Sequence, residues 1–276
     1  IEVKWSDTNY ENSVSTSNQF SIDANKARAT ISVPANVTPG NYMYIINVDP
    51  EDGWWGGDIP FTSNPLSIHL LVYKAINSVS ISGNSTVAYG SSLSLSGSGV
   101  GSLSWSISNG TGSATLSSTS GSNVTLNPTK AGTVYVTLRA AGDSMTSSGL
   151  KQLTVTIQRK GVALPTLSRG SNVHSNASVS GRTATTTYNG LAQHFTISNT
   201  TNINFGTPTS GATRSGNDFY ATNARSGAYT VTVSLTSTTN YCWGSDGGTD
   251  TASKTLSLTI NKASYNMTGV RWNYSS

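Results

Sequence analysis

The chain has 276 residues, of which 10% are charged and 35% hydrophobic, and a formal net charge of +4. Serine, threonine, asparagine and glycine fill the space between apolar positions, a pattern too regular for disorder and too poor in strong helix formers for a helical protein. No apolar run approaches a membrane span. The basic side chains stand singly among Ser and Thr rather than interleaved with aromatics as in a nucleic-acid binder, and the one cysteine, Cys242, offers neither a disulfide nor a metal site and reads as a small buried residue.

In chain order, residues 1–74 hold eight acidic and four basic side chains, whereas the remainder holds four and twelve. PGNYMYIINV from Pro39 sets a glycine before an alternating strand, and PLSIHLLVYK at 65–74 follows as a closing strand. VSISGN from Val79, SLSLSG from Ser92, SLSWSIS from Ser102, VYVTLRA from Val134 and QLTVTIQ from Gln152 then alternate with period 2, as half-buried antiparallel strands do. Asn109-Gly110, Gly121, Asn127-Pro128 and Ala141-Gly142 read as turns between them. The glycine-strand phrase returns as AGTVYVTL from Ala131 and SGAYTVTVSL from Ser226, closed by KQLTVTIQRK at 151–160 and KTLSLTINK at 254–262.

Three such endings predict an all-β chain of tandem immunoglobulin-like β-sandwich domains. Their expected spans are 1–74, 75–160 and 162–263, joined by short linkers at Lys74-Ala75 and Lys160–Ala163. Trp5 stands closer to the N-terminus than its counterpart Trp105 stands to the start of the middle domain, so the first domain reads as short of its opening strands. Its apolar positions Ile31, Val33, Tyr44, Ile46 and Val48 would then need cover from upstream sequence or from a neighbouring subunit. Residues 264–276, with Tyr265, Met267 and Trp272, read as the start of a further repeat or as a donor strand. In the middle domain Trp105, Leu116, Leu126, Tyr135 and Leu153 are expected to pack together. Tyr42, Tyr135 and Tyr229, just after the recurrent glycines, are structural candidates for a tyrosine corner.

These segments carry a family resemblance. VSISGNSTVAYGSSLSLSGSG, the tryptophan in LSWSIS and AGTVYVTLRA make residues 75–158 resemble a bacterial Ig-like domain of the group 2 type. TTTYNGLAQHFTI, ARSGAYTVTVSLTSTTNYCW and KTLSLTINKAS make residues 162–263 resemble the MBG-type Ig-like repeat of bacterial surface proteins. The resemblance implies secretion, cell-surface attachment and tandem arrays, and supplies no catalytic residues.

The densest candidate site is NVDPEDGWWGGDIPF at 47–61, which sets Asp49, Glu51, Asp52 and Asp58 around Trp54 and Trp55. Three readings stand. The tryptophans fold back to cap the sandwich or meet a neighbouring domain; or an indole, helped by Asp52 and Asp58, stacks on a sugar; or Asp49, Glu51 and Asp52 bind calcium. Tyr241 and Trp243 beside Asp246 occupy the corresponding loop of the third domain.

Elsewhere catalytic chemistry is not signalled. His69, His174 and His194 lie in separate segments without metal-ligand spacing, every glutamate precedes residue 52, and Lys74, Lys160 and Lys262 read as strand terminators rather than isopeptide partners. Sequons such as Asn36-Val-Thr and Asn84-Ser-Thr are expected by chance in this composition. The expectation is a non-enzymatic, extracellular stalk or adhesin segment, requiring no cofactor, whose partners are neighbouring Ig-like domains or subunits. The alternatives are a module that binds a glycan or host protein, and a phage fibre or decoration protein.

Overall fold

The computed structural model describes residues 2–6, 13–14, 21–25, 28–32, 37–47, 66–264 and 268. Every regular element among the described residues is a β-strand. The first are β1 (Glu2–Ser6), β2 (Ser13–Val14), β3 (Ser21–Asn25), β4 (Arg28–Ser32), β5 (Gly40–Asn47) and β6 (Leu66–Val72). They form a sheet in the order β2-β1-β5-β6 and a separate β3-β4 pair. Ile31 therefore pairs with Ile22 in the β3-β4 pair, a different sheet from the one that carries Tyr44 and Ile46. Val33, Val48, Tyr265, Met267 and Trp272 lie outside the described residues.

Next come β7 (Ser80–Ser82), β8 (Thr86–Ala88), β9 (Leu93–Ser98), β10 (Leu103–Asn109), β11 (Ser113–Leu116), β12 (Asn123–Lys130), β13 (Gly132–Ala140) and β14 (Gly149–Gln158). Two sheets, β10-β13-β14-β8 and β11-β12-β9-β7, enclose one buried cluster. Period-2 patterning builds it. Along β13, Val134, Val136, Leu138 and Ala140 are wholly buried while Tyr135 and Arg139 face outward. Trp105 lies in this core and its indole Nε1 donates to the Gly121 carbonyl at 2.8 Å, satisfying the one polar atom that burial would penalise. Leu126 is buried there too, with Leu116 and Leu153 at its margin.

Two expectations are corrected here. Tyr135 is 37% exposed and outside the core, because it follows Gly132 by three residues, and an odd step along a strand turns the side chain to the opposite face. Asn127-Pro128 is no turn. Pro128 sits within β12 opposite Ala114, at a register shift between Ser113 and Ala114, and beyond the residues of β12 that pair with β9. A residue without an N–H is tolerated at such an irregularity.

The last group is β15 (Lys160–Val162), β16 (Thr166–Arg169), β17 (Ser178–Ser180), β18 (Thr183–Thr187), β19 (Gln193–Ser198), β20 (Ile203–Phe205), β21 (Ala212–Ser215), β22 (Asp218–Ala221), β23 (Tyr229–Leu235), β24 (Tyr241–Trp243) and β25 (Lys254–Asn261). The sheets β17-β18-β25-β23-β20 and β16-β19-β22-β21 face a second buried cluster that includes Phe195, Phe219, Val231, Val233 and Leu258. In both sandwiches the closing strand runs antiparallel to the strand of the recurrent phrase and parallel to an early strand, β14 with β8 and β25 with β18. The order β1-β5-β6 repeats the order β10-β13-β14, and Trp5 on β1 is paired with Tyr44 on β5.

Candidate functional site

The loop carrying Asp49, Glu51, Asp52, Trp54, Trp55 and Asp58 lies outside the described residues. Among the described residues no group of three His, Cys, Asp or Glu side chains could hold a metal ion, and no helix is long and apolar enough to cross a membrane. Tyr42 lies on β5 paired with Leu70. Tyr229 is buried beneath Arg225, and its hydroxyl donates to the Asn223 carbonyl at 2.8 Å, six residues upstream.

The motif Tyr188-Asn-Gly-x-x-Gln193 closes on itself. The Asn189 amide donates to the Asn172 carbonyl and its Oδ1 accepts the Leu191 N–H, which shapes the turn around Gly190. Gln193 is fully buried. Its Oε1 accepts from the His174 N–H and the Thr186 hydroxyl, and its Nε2 donates to the Thr187 carbonyl. A buried amide so fully paired acts as a structural bolt.

The segment between the two sandwiches holds the densest set of specific contacts. The sequence reads Lys160–Ala163 as a short linker, but Lys160–Val162 is a strand that pairs in parallel with β24: Lys160 with Tyr241, Gly161 with Cys242 and Val162 with Trp243. Asn240 ties both sides together. Its side-chain Oδ1 accepts the Ala131 N–H at 3.0 Å and its backbone carbonyl accepts the Lys160 N–H at 2.9 Å. Arg159 Nε donates to the Thr238 carbonyl at 3.0 Å, and the Arg159 carbonyl accepts the Gly247 N–H at 2.8 Å. Asp246 Oδ1 accepts the Gly161 N–H at 2.7 Å. The Tyr89 ring of the middle sandwich meets Tyr241 edge to face, with centroids 5.6 Å apart.

Beneath this junction Cys242 and Trp243 are buried, and the Trp243 indole donates to the Ala252 carbonyl at 2.7 Å. Backbones approach so closely here that a side chain on Gly161 would collide with the Gly244 carbonyl oxygen. The Tyr241–Asp246 loop, singled out in the sequence for its aromatics and acid, thus places Asp246 on the linker, the Tyr241 ring against Tyr89 of the middle sandwich and the Trp243 indole in the C-terminal core.

One pairing escaped the sequence. His194 Nδ1 meets Asp218 Oδ2 at 2.6 Å across β19 and β22, and its ring stacks on Tyr220 at 4.4 Å. The two residues lie 24 positions apart and become neighbours only through strand register, with His194 opposite Tyr220 and Thr196 opposite Asp218. No hydroxyl or thiol is hydrogen-bonded to the other ring nitrogen among the described residues.

No family model matches the chain, and no curated protein matches it in sequence. Among solved structures it is similar to the endo-fucoidan hydrolase MfFcnA4 from glycoside hydrolase family 107, at 14% identity and a TM-score of 0.28, over 95% of this chain and 38% of that one. It is also similar to SGBP-B of the Bacteroides ovatus mixed-linkage glucan utilization locus, in complex with a mixed-linkage heptasaccharide, at 15% identity and 0.19, over 94% and 60%. A third is zebrafish RET cadherin-like domains 1 to 4, at 11% identity and 0.26, over 95% and 65%. The chain spans less than two thirds of each, and likeness at these scores carries no argument about its function.

Proposed function

We propose that this chain is a non-catalytic spacer, a stalk or shaft segment of a secreted cell-surface or fibre-forming protein, built from tandem Ig-like domains. The observation that carries this reading is the junction. Neighbouring domains joined by a plain linker move relative to one another by default. Here the linker is itself hydrogen-bonded as a strand, and Asn240 and Arg159 tie the residues on either side of it. Such contacts suit a stiff rod in which each unit engages chiefly its neighbours.

The resemblance of the sequence motifs to bacterial surface repeats favours an extracellular setting, with further Ig-like domains or adjacent subunits as partners. Small-angle X-ray scattering tests the spacer reading. The full chain should give one rigid envelope whose maximum dimension does not change between low and high salt. A scattering curve that only a broad ensemble of sandwich orientations can fit would refute it.

A further inference from the structure

The junction also forms an open cleft of about 520 Å³ between the two sandwiches. Its walls carry Lys130, Arg159, Thr111, Thr156, Gln158 and Thr239, with no carboxylate and no aromatic ring among its described lining residues. The Lys130 ammonium meets no carboxylate among the described residues. Arg159 is held by its Nε bond to the Thr238 carbonyl, which leaves both terminal guanidinium nitrogens without a hydrogen-bond partner among the described residues. Asp246, the acid closest in sequence to the cleft glycines Gly247 and Gly248, is turned to the Gly161 N–H.

We propose that this cleft binds an acidic saccharide, a sulfated or carboxylated sugar unit of a polysaccharide. A fixed guanidinium fork matches the paired oxygens of a sulfate or carboxylate, and the nearby ammonium adds a second positive charge. The three threonine hydroxyls and the Gln158 amide can exchange hydrogen bonds with sugar hydroxyls. The lack of a ring in the wall disfavours single-stranded nucleic acid, whose bases need a stacking surface. Sites of this kind form preferentially where two domains meet. The proposal rests on the fixed junction of the spacer reading, and Lys130→Ala separates the two, because it leaves the Asn240 and Arg159 contacts intact.

The test is titration of the full chain with oligosaccharides of dextran sulfate, of polygalacturonate and of neutral dextran. Sulfated or carboxylated oligomers should bind and weaken as salt is raised, while neutral dextran should not bind. Lys130→Ala should weaken binding about fivefold, with Arg159→Lys losing a similar factor although the charge is kept. Lys151→Ala, on β14 outside the cleft, should bind as wild type. The proposal is overturned if no acidic oligomer binds, if neutral dextran binds equally, or if Lys151→Ala costs as much as Lys130→Ala. An unchanged scattering envelope in Lys130→Ala with unchanged affinity would reject the cleft and leave the rod standing.

Discussion

The side chain of Asn240 accepts the backbone N–H of Ala131 at 3.0 Å, joining positions 109 residues apart in the chain. Ala131 is only 8% exposed, so water does not readily replace this acceptor. Asn240→Ala should therefore cost about 1 kcal/mol, the usual net value of a hydrogen bond, with the added penalty of a poorly solvated N–H. Hydrogen exchange at the Ala131 amide reads it directly. The variant should exchange several-fold faster there and unchanged at Val134, and equal rates at Ala131 in the two proteins would show that the contact does not hold the junction.

Tyr229 and Tyr135 occupy similar places in the recurrent phrase and should respond oppositely. Tyr229→Phe removes the donor to the Asn223 carbonyl and should cost about 1 kcal/mol. Tyr135→Phe, at an outward position, should stay within about 0.5 kcal/mol of wild type. Urea denaturation of the two variants measures both, and equal losses would contradict the assignment of faces.

That pair also shows where the sequence was legible. Period 2 located the strands from 79 to 158, and the apolar positions with Trp105 among them form the middle core. Parity within the phrase was available too: Tyr229 is two residues after Gly227 and Tyr135 is three after Gly132, and treating them as equivalent put Tyr135 on the wrong face. The junction could not be read this way. Asn240 and Arg159 are ordinary polar residues in sequence, and Asp246 stood out there only as the acid of an aromatic loop; the parallel pairing of Lys160–Val162 with Tyr241–Trp243 is what brings the three together. His194 and Asp218 are likewise joined by register rather than by local pattern.

Trp105 is the largest side chain of the middle core. Trp105→Ala should destabilise that sandwich by roughly 3–5 kcal/mol through the cavity it leaves. Trp105→Phe keeps much of the volume but removes the bond to the Gly121 carbonyl, and should cost clearly less. Calorimetry should show the loss in one transition while the C-terminal sandwich, with its own core, melts as before. An equal shift of both transitions would mean the two cores unfold as one.

Acid should loosen the far end of the middle sandwich. The Asp143 carboxylate accepts the N–H groups of Met145 and Thr146 at 2.9 and 2.7 Å, and these bonds hold its pKa below the ordinary 3.8. A depressed folded pKa means the stabilisation is complete above the unfolded value and is lost as pH falls below 3.8 through the folded one. Asp143→Asn, which mimics the protonated acid, should be less stable than wild type near neutrality and converge on it at low pH. A stability gap that is constant with pH would exclude this linkage.

A spacer is defined by how little its units move, and pulsed electron spin resonance measures that directly. Spin labels on the exposed positions Ser94 and Ser198 report from one sandwich to the other, and buried Cys242 does not compete for label. The full chain should give one narrow distance population, and Gly161→Ala, which forces β15 away from the Gly244 carbonyl, should broaden it. A wild-type distribution already as broad as that of the variant would contradict the rigid junction and, with it, the proposed role of the chain.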